Sequence, residues 1–333
     1  MDVQALDRAQ QLIATSLVWD NHACMPLRPE DGGFLPQIER ARAAGFDVVS
    51  LNAGFGPQPL DSHLRMLASF RRWFAERSDR YMLVDRAADI DAARAAGKLA
   101  ITFDVEGMGP LDNGDSGLVQ LFYDLGVRWM LIAYNRNNAV GGGCYDDDPG
   151  LSAHGRAVLA EMKRVGMVVC CSHTGHRTAR QVIEAAENPV IFSHSNPDAV
   201  FPHKRNIPDD LIKACAATGG VIGINGIGAF LGDNDDRPET LVEHIDHVTQ
   251  LVGPAYVGLA LDYVYDRQEL IDFLATMRET FPEDPAFGRD PKMVPPEALA
   301  AIVAGLIDRG YADADVQNIL GGNWRRVAAQ VWK

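Results

Sequence analysis

Eight short apolar runs, each separated from the next by a segment of helical periodicity, constrain this chain more than any other feature. They are LVWDNH (17–22), DVVSLN (47–52), LAITFDVE (99–106), WMLIAYN (129–135), MVVCCSH (167–173), PVIFSH (189–194), GVIGIN (220–225) and YVGLALD (256–262). Several are continuous rather than alternating, as expected of parallel strands covered on both faces. Segments 37–45, 60–78, 117–126, 152–166, 178–187, 209–220 and 239–253 carry apolar residues at helical spacing, and many end in Gly, the usual residue after a helix. Eight strands alternating with helices over roughly 300 residues predict an α/β fold, a TIM-like (β/α)8 barrel. A doubly wound open sheet is the rival, weakened by the lack of a Gly-rich phosphate loop after the first strand. No repeat, low-complexity tract or linker is found. The chain reads as one barrel domain, 1–333, with excursions at 226–238 and 263–297 expected to lie over the mouth as lids.

Composition narrows the partners. Lys and Arg number 31 and Asp and Glu 45, a net charge of −14, which argues against nonspecific nucleic-acid binding. The apolar runs fall short of the roughly 18–20 residues that span a bilayer. Residues 1–18 show no basic start followed by an apolar block, so no secretory signal is read and a cytoplasmic location without membrane contact is expected. The five cysteines are odd in number and scattered, which is no disulfide framework. Cys170, Cys171 and Cys215 lie in or beside apolar runs and are expected to pack as small hydrophobes. Cys24 stands apart from them.

The strand ends are not random. The first ends in His22, with Cys24 two positions on. The third ends in Glu106, the fifth in His173, the sixth in His194, the eighth in Asp262 and the fourth in Tyr134 and Asn135. In a barrel every C-terminal strand end points to one mouth, so the fold itself gathers residues from 22 to 262 into one site. Imidazole, thiolate and carboxylate are the usual ligands of zinc. Such a set suits two divalent ions bridged by a carboxylate, which can activate water and polarise a carbonyl, with an Asp beside them to handle protons. Each residue alone has a structural reading, as a satisfied histidine, a salt-bridging Glu106 or a buried Cys24 thiol. Four of eight ends carrying His or Glu is hard to explain that way. His154, His176, His203, His244 and His247 fall in helices or loops and read as surface residues or supports behind the site. Asp209 and Asp210 read as helix-start carboxylates.

These segments resemble the membrane (renal) dipeptidase family of the amidohydrolase-like superfamily. WDNHACMP, FDVEGM, CCSHTG and IFSHSN match its metal-ligand segments in order, and the match continues through HKRNIPDDLI, HIDHV, VGLALDY and GGNWRRV. The resemblance implies a zinc enzyme cleaving dipeptides with a free C-terminal carboxylate. Glu106 would bridge two zinc ions, His22 would serve one, and His173 and His194 the other. Arg205 would pair with the substrate carboxylate, Asp262 would contact the amino group or deliver a proton to the leaving amine, and Tyr134 or Asn135 would donate to the carbonyl oxygen. It also allows a homodimer. Three positions depart from the family. Cys24 stands where Asp is common, leaving one or two zinc ions per chain open. Tyr134 aligns with a histidine that helps polarise the carbonyl, and Gly226 and Ile227 occupy a place where an aromatic is common. The alternatives are a hydrolase of another amide, lactam or lactone on the same framework, and a metal-poor barrel with a binding or non-hydrolytic role.

Overall fold

The computed structural model describes residues 3–111, 114–288 and 290–333. Ten strands form among the described residues: β1 Trp19–Cys24, β2 Val48–Phe55, β3 Tyr81–Leu83, β4 Leu99–Glu106, β5 Val127–Leu131, β6 Val168–Cys170, β7 Val190–Ile191, β8 Ile222–Ile224, β9 Val257–Leu259 and β10 Tyr263–Val264. All pair in parallel, in the order β7-β6-β5-β4-β2-β1-β9-β8. A parallel bridge between Phe192 and Ile222 joins the two ends of that series into a barrel. The eight barrel strands are those expected from the sequence. The short β3 and β10 were not, because each is a brief addition beside a barrel strand: β3 pairs with β4 and β10 with the end of β1. No helix among the described residues is long and apolar enough to cross a membrane.

Every residue of β2 and β4 is buried, as two-sided coverage requires. The seven expected helical segments are helical, within a few residues. Gly166 closes helix Ala153–Val165 at φ 92°, a left-handed conformation that glycine adopts without strain. The C-terminal stretch adds helices at Leu299–Asp308 and Asn323–Val331. The latter covers the N-terminal ends of the strands. Asn323 Nδ2 donates to the carbonyls of Pro254 and Val257 at 2.7 and 2.8 Å, and the Trp324 indole donates to Leu259 O at 3.1 Å. This leaves the opposite, C-terminal face for the site.

Side chains alternate across a strand, so residues two apart share a face. Asp20, His22 and Cys24 on β1, Ser50 and Asn52 on β2, and Asp104 and Glu106 on β4 therefore form polar columns inside the barrel. Ser50 Oγ donates to Asp104 at 2.7 Å and Asn52 Nδ2 donates to Asp104 and Glu106 at 3.2 and 3.1 Å, which fixes that orientation.

Four barrel strands stop three or four residues short of the expected ends. β5 ends at Leu131, β6 at Cys170, β7 at Ile191 and β9 at Leu259, and the polar residues lie a few positions beyond. β7 goes on only as the single bridge at Phe192. For β5, β6 and β9 the physical reason is a local turn. Asn135, His173 and Asp262 have φ of 61°, 61° and 53°, left-handed values incompatible with a continued ladder. Asn, Asp and His are the non-glycine residues most tolerant of that region. The turn releases each backbone from the sheet beside the mouth.

Candidate metal centre

Glu106 is the hub. Its Oε1 lies 3.6 Å from His22 Nε2, 3.3 Å from His173 Nε2 and 3.1 Å from His194 Nε2. The two latter nitrogens are 2.9 Å apart. Two overlapping sets have ligand atoms within 4.8 Å of one another: Glu106, His173 and His194, and His22, His194 and Asp262. Asp262 Oδ1 is 3.3 Å from His22 Nε2, while Asn225 Nδ2 holds its Oδ2 at 2.8 Å. Cys24 is outside both sets but adjoins them, its Sγ 3.5 Å from His22 Nε2 and 3.6 Å from Asp262 Oδ1.

The residues fit a metal. Glu106 Oε1 is buried and has no hydrogen-bond partner among the described residues, although three ring nitrogens surround it. A buried carboxylate oxygen is costly unless a cation or donor meets it, and a divalent ion among these nitrogens would meet it. The ring orientations are fixed from behind. Asn135 Nδ2 donates to Thr280 O at 3.1 Å, which turns its Oδ1 to His173 Nδ1 at 2.7 Å. An amide oxygen only accepts, so Nδ1 carries the proton and Nε2 presents its lone pair to the cluster. Ser193 Oγ sits 2.7 Å from His194 Nδ1.

Burial holds His173 and His194 well below the ordinary histidine value, with the positive charges of Arg205 and His22 adding to it, so both are neutral, ligand-competent rings. Burial also opposes charge on His22, but the Asp104 and Glu106 carboxylates outweigh it and hold that imidazole well above its ordinary value. Burial pushes Glu106 up and raises Asp20 to about 7. The Cys24 thiol is likewise pushed far up by burial, against the pull of His22.

The cluster opens into a cavity of ≈ 840 Å³ including its mouth. Cys24, Glu106, Tyr134, Asn135, His173, Arg205 and Asp262 all line it, whereas His22 and His194 lie beneath. The rest of the wall is largely apolar, much of it from residues 264–287. Arg205 is buried, with Nη2 donating to His194 O at 3.1 Å, its guanidinium carbon 5.1 Å from the Phe230 ring centroid, and Nε without a hydrogen-bond partner among the described residues. Tyr134 stacks on His173 at 4.0 Å and 22°. Burial raises its phenol far above the ordinary value, followed by the effect of Glu106, so it stays protonated.

Among the other histidines, His203 supports the wall: its Nε2 meets Asp284 at 2.6 Å and its Nδ1 accepts from Arg205 N at 3.0 Å. His244 differs from expectation. It is fully buried on helix Pro238–Val252, bonded to Leu231 O at 2.8 Å, because its position on the helix faces the barrel rather than solvent. Asp209 and Asp210 begin helix Asp209–Ala217, and Cys170, Cys171 and Cys215 are buried and free. Sequence reasoning missed Asp20, Asn52, Asp104, Ser193 and Asn225. The usable signal was strand alternation, which puts Asp20 and Asp104 below His22 and Glu106, and the Asn that ends three of the expected strands, Asn52 and Asn225 as well as Asn135.

Fold and site together define a barrel of the amidohydrolase-like class with a candidate His/Glu/Asp metal site at the strand ends. The chain belongs to the membrane dipeptidase family, peptidase family M19, whose model matches residues 6–274. It is 35% identical over 204 residues to an uncharacterized dipeptidase of Schizosaccharomyces pombe, covering 58% of this chain and 48% of that one. The match spans about half the length of the first curated relatives, 48% and 56%. An amidohydrolase from Pseudomonas aeruginosa has a similar structure, with TM-score 0.87, 27% identity and coverage of 97% and 99% of the two chains. A metallopeptidase from Rhodobacter sphaeroides liganded with a phosphinate mimic of the dipeptide L-Ala-D-Ala shares the fold, with TM-score 0.76, 20% identity and coverage of 96% and 100%.

Proposed function

We propose that the chain is a zinc-dependent dipeptidase acting on dipeptides, or dipeptide-like compounds, with a free C-terminal carboxylate. The observation that carries the reading is the meeting, in one cavity, of the Glu106-centred cluster with Arg205, a buried guanidinium whose Nε has no hydrogen-bond partner among the described residues. Glu106, His22, His173, His194 and Asp262 would hold two zinc ions, with Cys24 adding a thiolate to the ion beside His22. Bound there, zinc supplies a polarising charge for the amide carbonyl and a water of lowered pKa.

The chain's own residues supply the rest. Arg205 pairs with the terminal carboxylate and sets how far the substrate enters, which limits cleavage to the last peptide bond. The protonated Tyr134 hydroxyl donates a hydrogen bond to the carbonyl oxygen as charge develops on it. Asp262, steadied by Asn225, would take up the proton that the attacking water releases and deliver it to the departing amine. Asn135 keeps the His173 proton on Nδ1, away from the cluster.

The test is a panel of dipeptides and their C-terminal amides, assayed with the zinc-loaded protein and with Arg205→Ala. The protein should hydrolyse free acids and spare the amides. The variant should lose at least about 30-fold in kcat/KM, mostly in KM, since losing one partner of a buried charge pair costs ~2–5 kcal/mol. Equal hydrolysis of acids and amides, or wild-type kinetics in the variant, refutes the role.

A further inference from the structure

The cavity wall contains two separate sets of aromatic rings. One surrounds Arg205: Phe230 lies beneath its guanidinium, and Phe287 packs on Phe230 at 5.5 Å. The other has four members. Phe55 meets Tyr134, Phe273 and Phe281 at 5.1, 5.4 and 5.8 Å, and Tyr134 meets Phe281 at 5.9 Å. Tyr134 in turn stacks on His173, so this set begins at the metal cluster and runs outward. Among the described residues no ring contact joins the two sets.

The sets fall on different sides of the substrate, an assignment that rests on the dipeptidase reading with the carboxylate on Arg205. The α-carbon of the C-terminal residue is one bond from that carboxylate, so its side chain lies near Phe230. The scissile carbonyl lies at the cluster, and the side chain of the N-terminal residue lies beyond it. We propose that Phe55, Tyr134, Phe273 and Phe281 form a selectivity pocket for a bulky apolar side chain, aromatic above all, on the N-terminal residue of the substrate.

Chemistry and rigidity both support this. Phe273 and Phe281 are only half-buried, and both line the cavity. Aromatic rings gain from offset or edge contact with another ring beyond the area they bury. Glu269, the acidic wall residue from the same segment, is engaged by Arg28 at 3.0 Å and does not call for a cationic side chain. The segment carrying Phe273 and Phe281 is tied down at several points: Asp266 to Arg28 at 2.8 Å, Thr280 O to Asn135, and Asp284 to His203. Rings held in place cost little further ordering when a ligand enters.

The experiment is calorimetric titration of the zinc-loaded protein with two phosphinate pseudodipeptides, identical except for benzyl or methyl on the N-terminal side, beside hydrolysis of Phe-Ala and Gly-Ala. The benzyl compound should bind at least about 30-fold more tightly, since a single methylene in a fitted apolar pocket is worth roughly 10–200-fold. Phe273→Ala/Phe281→Ala should lower that ratio about tenfold, and Phe273→Leu/Phe281→Leu should restore part of it. Equal binding of benzyl and methyl, or an undiminished ratio in the double alanine variant, overturns the pocket. If the benzyl preference holds but no dipeptide is cleaved, the pocket stands and the dipeptidase reading falls. Binding of neither compound overturns both.

Discussion

Asn135→Ala is the most informative single change, because Asn135 bonds the far side of the His173 ring, behind the proposed metal site. Its Oδ1 accepts the His173 Nδ1 proton at 2.7 Å, its amide donates to Thr280 O at 3.1 Å, and its backbone is left-handed at φ 61°. Alanine removes the acceptor, so the His173 proton is free to move to Nε2 and occlude the lone pair facing Glu106. Losing such a support behind a ligand costs about 10–100-fold in metal affinity, or ~1.4–2.8 kcal/mol. Alanine also pays ~1 kcal/mol for the left-handed backbone, and the stranded buried carbonyl adds ~1–3 kcal/mol to the loss of stability. Asn135→Gly separates these terms, since glycine removes the side chain but accepts the backbone. Zinc affinity by chelator competition, beside urea denaturation of the metal-free forms, reads them apart. Both variants should lose zinc affinity equally, and glycine should be the more stable by about 1 kcal/mol. Affinity within threefold of wild type in both variants would show that Asn135 does not set the His173 tautomer.

Three other perturbations test neighbouring parts of the argument. Glu106→Gln should lower bound zinc and kcat together, by at least the ~10–100-fold that loss of a mere supporting residue costs; full zinc content with full activity would exclude a bridging role. Elemental analysis should find about two zinc ions per chain, and Cys24→Ala should lower this toward about one while Cys24→Asp retains both; two ions in the alanine variant would remove Cys24 from the ligand set. His244 gives a pH dependence remote from the metal. Burial, with a smaller effect of His247, lowers its pKa from 6.5 to about 4. The unfolded chain therefore binds the extra proton between those values, so stability is full above pH 6.5 and falls as pH drops toward 4, by about 3 kcal/mol in all. Urea denaturation at pH 7 and 4.5 should show this loss reduced in His244→Gln, and an unchanged pH profile in that variant would refute the assignment.

The barrel was legible because it is written twice, in continuous apolar strands and in the helical spacing between them, and neither depends on detail. The convergence of His22, Glu106, His173, His194 and Asp262 followed from topology alone, since a barrel leaves strand ends only one place to meet. The supports were harder to read because their partners are distant in sequence. Ser50 and Asn52 meet Asp104 and Glu106 more than fifty positions away. Nothing local marks Thr280 as the partner of Asn135, 145 residues distant. Strand bounds failed for a different reason. A polar residue after an apolar run looks like the last residue of a strand, whereas His173 and Asp262 lie in left-handed turns beyond it. Each such turn costs ~1–3 kcal/mol and persists only where surrounding structure over-determines it. Here the Cys144 N–H donates to His173 O at 2.9 Å and the Asp262 N–H donates to His22 O at 2.9 Å, binding both turns to the wall of the mouth. That three residues of one cavity share this costly conformation is consistent with backbone strain being spent on aiming side chains at the site. Replacing any of them by a β-branched residue would remove the turn as well as the side chain.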